Sequence, residues 1–187
     1  MSVNNPYFDE ETLQRMLDLA REQLDADRLE RAQNICGQVL DQQPNHPRAL
    51  HLLGRIAAKR GALPEAIDLI LRAITINPSE PIYYNSLGMT LKSAGQLEQA
   101  AAAYREALRL NPDYAEAHNN LGIALGAQGE IESAIEAYQH ALSIKPDLAS
   151  AYNNLGNAFK NTGQHDEAIA AYREALQVDP GNAGALH

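Results

Sequence analysis

The histidines are the residues of this chain with the widest range of chemistry, since imidazole can bind a metal, accept a proton or donate one. None of them lies three or four residues from another, which is the spacing that puts two ligands on one helix face. We therefore expect each to act separately, at the surface or in packing between helices, and predict no metal site. They are His46, His51, His118, His140, His165 and His187.

Other residues that could support catalysis also lack the patterns that catalysis requires. Cys36 is the only cysteine, so neither an internal disulfide nor a cysteine metal cluster can form, and we expect a buried thiol. The glycines form neither the phosphate-binding loop G-x-x-x-x-G-K nor the nucleophile elbow G-x-S-x-G. We therefore predict that the chain is not an enzyme and has no catalytic residue and no cofactor.

The charge balance narrows the classes of partner. Aspartate and glutamate number 24 against 15 lysines and arginines, which gives a formal net charge of -9. Such a surface does not suit non-specific nucleic-acid binding, which needs excess cations to displace phosphate counterions. No apolar run approaches the roughly 20 residues that cross a bilayer, and the first residues do not form a secretory signal. With Met1 as the natural start, we expect a cytoplasmic protein without nucleic-acid or membrane partners.

The elements that must position any site are revealed by a period of 34 residues. Five prolines keep this spacing, as do two series of glycines, two of alanines and one of leucines. The members are Pro44, Pro78, Pro112, Pro146 and Pro180; Gly54, Gly88, Gly122 and Gly156; Gly61, Gly95, Gly129 and Gly163; Ala66, Ala100, Ala134 and Ala168; Ala73, Ala107, Ala141 and Ala175; and Leu53, Leu87, Leu121 and Leu155. Several residue types locked to one period indicate an internal repeat.

Each recurring residue predicts one feature of a pair of helices. The first glycine lies inside a helix, where glycine costs about 1 kcal/mol relative to alanine, and so indicates close approach of the paired helix. The second glycine ends that helix in a left-handed conformation, and the proline ends the second helix. Recurring acidic residues should start the second helices, where their charge favours the helix dipole; examples are Glu98, Glu132, Asp166 and Glu167.

The unit resembles the tetratricopeptide repeat, with Leu-Gly in its first helix, glycine at the turn, and alanine and tyrosine in its second. The tyrosines are Tyr104, Tyr138 and Tyr172. The resemblance implies an all-α, right-handed solenoid of antiparallel helix pairs. By this pattern the regular units are 47–80, 81–114, 115–148 and 149–182. Residues 1–12 would be a lead-in with the start of the first helix.

The stretch 13–46 is interpreted as a divergent repeat that also caps the array. It keeps the length, Ala32 and Pro44, but has Ala20 and Asp27 where later units have glycine. Asp9 should cap its first helix, and its second helix should begin near Leu29. Residues 183–187 look like the start of a further, truncated repeat.

The resemblance also implies that the first helix of each pair lines a concave face that binds a partner. Asparagines recur on that face: Asn85, Asn119, Asn120, Asn153, Asn154 and Asn157. An amide both donates and accepts hydrogen bonds, so these residues could hold an extended peptide by its backbone. They could equally bond neighbouring helices to one another, and both roles can hold together.

A basic stripe on the same face comprises Arg48, Arg55 and Lys59, with Lys92 and Lys160 further along. It could receive an acidic peptide or a terminal carboxylate. The alternative is a solvated helix face paired with Asp18 or Glu22 of the preceding helix. Ile82, Met89 and Ile123 would add small apolar pockets.

Three functional hypotheses follow from this pattern. The leading one is a non-catalytic protein-protein interaction scaffold that binds an extended peptide or partner protein in the concave groove. The second is a substrate-recognition arm of a larger enzyme, since the asparagine-rich units resemble those preceding the catalytic domain of O-linked N-acetylglucosamine transferases. The third is a self-assembling scaffold, stacked through an uncapped last helix that carries Ile169, Leu176 and Val178.

Overall fold

The computed structural model describes residues 9–181, and within that range every regular element is an α-helix. The helices are α1 (Glu10–Asp25), α2 (Leu29–Gln42), α3 (Pro47–Lys59), α4 (Leu63–Ile76), α5 (Pro81–Ser93), α6 (Leu97–Leu110), α7 (Ala115–Ala127), α8 (Ile131–Ile144), α9 (Ala149–Asn161) and α10 (His165–Val178). The predicted all-α architecture of helix pairs is confirmed. The predicted start at 183–187 of a further repeat lies outside the described residues.

The helices begin where the sequence places starting signals. Asp9 caps α1, because its carboxylate accepts a hydrogen bond from the Thr12 backbone N–H at 2.7 Å. Proline stands in the first turn of α3 and of α4, where its missing N–H costs no helical hydrogen bond. Glutamate or aspartate stands in the first turn of α6, α8 and α10, as predicted.

The chain forms two compact units, Met1–Thr90 and Leu91–His187, which divide within α5. In the first unit α1 packs on α2 and α3, α2 packs on α3, and α3 packs on α4. In the second unit each helix from α6 to α10 packs on the next, and α7 also contacts α9. Each unit is therefore a stack of helix pairs in which first helices lie beside first helices.

Small side chains allow the helices to approach closely. The two periodic alanine series are buried throughout, with no member more than 3% exposed: Ala66, Ala73, Ala100, Ala107, Ala134, Ala141, Ala168 and Ala175. Larger residues fill the space between pairs, such as Leu17, Leu24 and Ile56 in the first unit. Cys36 is fully buried in the same cluster, as predicted, and burial raises the pKa of its thiol to about 12.

The glycines inside first helices face large side chains of second helices. A Cβ placed on Gly122 would lie 2.5 Å from Cε1 of Tyr138, and one on Gly156 would lie 2.5 Å from Cε1 of Tyr172. Real carbon atoms do not approach that closely, so the aromatic ring occupies the volume of the missing methyl group. The predicted packing reason for these glycines is confirmed.

The turns after the first helices require a positive φ. Gly61, Gly95, Gly129 and Gly163 have φ between 76° and 86°. Asp27 stands at the same place in the first pair and adopts φ 58°, so the divergent pair keeps the turn without the glycine. This left-handed residue ends the first helix in all five pairs.

Candidate functional site

A groove of about 500 Å³ runs across the first helices of the first unit. Residues of α1, α3 and α5 line it, together with two residues of the α4–α5 loop. The lining residues are Gln14, Asp18, Arg21, Arg48, His51, Leu52, Arg55, Asn77, Glu80, Ile82 and Tyr83. Of these, Arg48, Arg55 and Ile82 lie on the helix face that the sequence assigned to partner binding.

The basic stripe of α3 is paired with an acidic stripe of α1 and the turn that follows it. The guanidinium of Arg48 lies 2.5 Å from Asp18, and that of Arg55 lies 3.1 Å from Asp25. The ammonium of Lys59 lies 2.9 Å from the carboxylate of Asp27.

As an alternative to ligand binding, the sequence suggested that the basic stripe pairs with Asp18 or Glu22, and Asp18 is the partner of Arg48. The hydrogen bond from Arg48 lowers the pKa of the Asp18 carboxyl below its usual value. Arg48 keeps 23% of its side chain exposed and Arg55 keeps 29%. Each guanidinium has five N–H donors, so one aspartate does not exhaust its capacity.

His51 forms the floor of the groove. It is 3% exposed, its Nε2 lies 2.8 Å from Oγ of Ser86, and its ring centroid lies 4.6 Å from that of Tyr83. Burial lowers the pKa of His51 to about 3, with smaller contributions from Arg55 and Arg48. The imidazole is therefore neutral at physiological pH and belongs to the packed wall of the groove.

Two of the predicted asparagines bond to each other across neighbouring first helices. Asn154 of α9 donates through Nδ2 to Oδ1 of Asn119 of α7 at 2.9 Å. Asn119 is only 7% exposed, whereas Asn154 is half-buried. The pair links residues 35 apart, as does the His51–Ser86 contact. A polar bridge between first helices thus recurs at one register, and we call each such pair a rung.

The remaining predicted polar residues are distributed along the first helices. Asn85 is buried, with its Nδ2 3.9 Å from Sδ of Met89, and exposed Asn157 accepts a hydrogen bond from the Tyr172 hydroxyl at 2.8 Å. Asn120 and Asn153 are half-buried on α7 and α9. Lys92 and Lys160 stand in the last turns of α5 and α9.

The predicted apolar contacts differ in exposure. Met89 is 48% exposed and Ile82 is 39% exposed, whereas Ile123 is half-buried. Large apolar side chains in open positions on first helices suit contact with another molecule. Ile82 is the one that borders the groove of the first unit.

No group of three or more His, Cys, Asp or Glu side chains within residues 9–181 could hold a metal ion. Nor is any helix in this range both long enough and apolar enough to span a membrane.

Comparison with known proteins gives matches over most of the chain. Two family models described as tetratricopeptide repeat match residues 17–81 and 149–182, and one described as TPR repeat matches residues 88–129 and 124–163. Among curated protein sequences none matches this chain.

Many solved structures share the fold. The crystal structure of MamA is 27% identical over 95% of this chain and 98% of that chain, with a TM-score of 0.75. A thermophilic TPR protein in Thermus thermophilus is 25% identical over 93% of this chain and 95% of that chain, with a TM-score of 0.77. PilF of Pseudomonas aeruginosa, at 18% identity, covers 95% of this chain and 81% of its own, and its TM-score of 0.87 reflects likeness of fold alone.

Proposed function

The chain belongs to the tetratricopeptide repeat family, and from this premise we propose that it is a non-catalytic scaffold that binds an extended segment of a partner protein. The observation that carries the proposal is the groove between α1, α3 and α5. It combines apolar surface from Leu52 and Ile82 with guanidinium groups at Arg48 and Arg55. That combination suits a peptide whose side chains alternate between apolar and acidic contacts.

Paired cations can still receive an acidic side chain of the partner. Asp18 and Asp25 hold one side of Arg48 and Arg55 and thereby fix the orientation of both guanidinium groups. A partner carboxylate would then meet donors whose positions are already set, which lowers the entropy cost of binding. The acidic side chains nearby disfavour partners with a high density of negative charge, so we propose a segment with one or two acidic residues.

In the second unit, the asparagines would hold the backbone of the same kind of segment. Asn154 uses Nδ2 in the rung with Asn119, and its Oδ1 has two lone pairs that can accept from a peptide N–H. Asn157, which is exposed, lies three residues further along the same helix. Backbone recognition of this kind tolerates many partner sequences.

Selection from a displayed library of unstructured peptides tests the proposal. We expect enriched peptides that carry apolar residues and one or two acidic residues, and that lose affinity about tenfold or more in Ile82→Asp and in Arg55→Glu. Leu71→Asp is the matched control, because Leu71 is 45% exposed, close to the 39% of Ile82, but lies on the second helix α4. Peptides that bind all three variants equally, or a library that yields no binder, would contradict the proposal.

Self-association is a second candidate function, favoured by the surface of the last helix. Ile169 is 48% exposed and Val178 is 38% exposed on α10, and Leu176 is half-buried there. Light scattering across a range of concentrations tests it. A mass that rises with concentration, and that Ile169→Asp returns to that of a monomer, would support stacking through α10; a constant monomer mass would exclude it for this chain.

A further inference from the structure

Two histidines that are far apart in sequence lie side by side in the second unit. His118 of α7 and His140 of α8 have ring centroids 5.5 Å apart and ring planes inclined by 27°. His118 is half-buried and His140 is exposed. The equivalent positions in other units carry Leu50, Tyr84 and Tyr152 for His118, and Arg72, Glu106 and Glu174 for His140. The pair is thus an addition to one unit, because the repeat itself does not require histidine at either position.

The hydrogen bond of His118 determines which of its ring nitrogens can bind a ligand. Its Nε2 lies 2.9 Å from the carbonyl oxygen of Pro112, and a carbonyl can only accept. Nε2 of the neutral ring therefore carries the proton, and Nδ1 carries the lone pair. Histidines that ligate metals commonly donate their other ring N–H to a backbone carbonyl, which fixes the ring and strengthens the ligand nitrogen.

The separation of the rings suits a shared metal ion. A metal at about 2.0–2.1 Å from each ligand nitrogen lies about 3 Å from each ring centroid, so two ligating rings have centroids at most about 6 Å apart. The observed 5.5 Å falls within that limit, but the rings are stacked, so one of them must turn before the ion can lie in the plane of both. Because His140 is exposed, its ring can turn to direct a nitrogen towards the ion without disturbing the core.

We propose that His118 and His140 form a two-histidine site for a divalent transition-metal ion. Imidazole ligands suit Cu²⁺, Ni²⁺ and Zn²⁺, and the general order of affinities places Cu²⁺ first. Within residues 9–181 no third His, Cys, Asp or Glu completes a cluster. The ion would keep open positions for water or for a donor from another molecule. The site is independent of the groove in the first unit.

Titration of the full, untagged chain with Cu²⁺ alone, followed by calorimetry and electron paramagnetic resonance, tests the proposal. We expect one saturable site and a spectrum with two nitrogen ligands. His118→Tyr should weaken binding about tenfold or more, since it removes one of the two ligands. This variant preserves the fold, because Tyr84 makes the same contact, its hydroxyl donating to the carbonyl of Pro78 at 3.1 Å.

Two further variants complete the experiment. His140→Arg, which copies Arg72, should weaken Cu²⁺ binding as much as His118→Tyr. Because His140 is exposed, this substitution should leave the fold intact, so a loss of binding would not reflect unfolding. His165→Gln on α10 should leave the affinity unchanged. If either His118→Tyr or His140→Arg binds Cu²⁺ like the parent chain, or if the parent chain shows no saturable site, the proposal is wrong.

Discussion

Gly122 of α7 lies so close to Tyr138 of α8 that a methyl group on Gly122 would overlap the aromatic ring, 2.5 Å from Cε1. Gly156 and Tyr172 are in the same arrangement, and in both pairs the glycine and the tyrosine are sixteen residues apart. In the first pair that register holds Ala20 and Cys36, both fully buried in one core cluster. A larger residue on the first helix is therefore matched by a smaller one on the second, which explains why the divergent pair does without glycine.

Gly122→Ala should lower the free energy of unfolding by about 1–3 kcal/mol, because the added methyl group displaces the Tyr138 ring. The double variant Gly122→Ala with Tyr138→Cys copies the first pair. Its loss of unfolding free energy should be smaller than the sum of the two single losses by about 1 kcal/mol or more. Urea denaturation measures each variant. Gly126→Ala on the same helix is the control, since its Cβ would lie 3.7 Å from the nearest atom and should stabilise the helix.

Asp27 gives a test of backbone strain at the first turn, where φ is 58°. Both Asp27→Ala and Asp27→Gly remove the ion pair with Lys59, so the difference between them reports the backbone alone. The glycine variant should be more stable than the alanine variant by about 1 kcal/mol, since a side chain disfavours the left-handed conformation by that amount. Thermal and urea unfolding of both variants measure this difference, and equal stabilities would contradict a left-handed conformation at residue 27.

His51 should make the stability of the protein depend on pH. Its pKa in the folded chain is about 3, against about 6.5 when unfolded, so between these values only the unfolded state binds the proton. The contribution of His51 to the free energy of unfolding is complete above about pH 6.5 and falls as the pH is lowered towards 3. We expect a loss of about 2 kcal/mol between pH 7.5 and pH 5.

His51→Asn provides the control for that measurement, because Asn85 and Asn119 occupy the same register in later units. The variant should remove most of the slope of stability against pH in this range. The slope that remains is expected from His46, whose pKa burial also lowers. An unchanged slope in His51→Asn would show that other groups cause the dependence.

The helices, turns and buried alanines were predictable because they depend on local conformation and on the 34-residue period. Gly129, for example, is required by a positive φ that few other residues tolerate. The pairing of charges was harder to predict. Asp18, Asp25 and Asp27 meet the basic stripe only because α1 packs beside α3. The sequence suggested Asp18 or Glu22 as partners of the stripe, but neither Asp25 nor Asp27.

Spacing within one helix does not predict a contact between a first helix and a second helix. His118 and His140 are 22 residues apart on different helices, so a search for histidines three or four apart misses them. The rungs could have been found from the repeat, since a first helix lies beside the next first helix. One residue more than the period separates His51 from Ser86 and Asn119 from Asn154.

The rung between Asn119 and Asn154 distinguishes the structural role of the asparagines from ligand binding. Asn119→Ala and Asn154→Ala should each lower the free energy of unfolding by about 1–2 kcal/mol, because each leaves a buried or half-buried amide without its partner. The double variant should lose little more than either single variant. Asn157→Ala, at an exposed position, should lose less than about 0.5 kcal/mol.

If the asparagines also hold a peptide, Asn157→Ala will weaken binding of a selected peptide while its urea midpoint stays near that of the parent chain. If affinity falls only where stability falls, in Asn119→Ala and Asn154→Ala, then the asparagines support the repeats and do not contact the ligand.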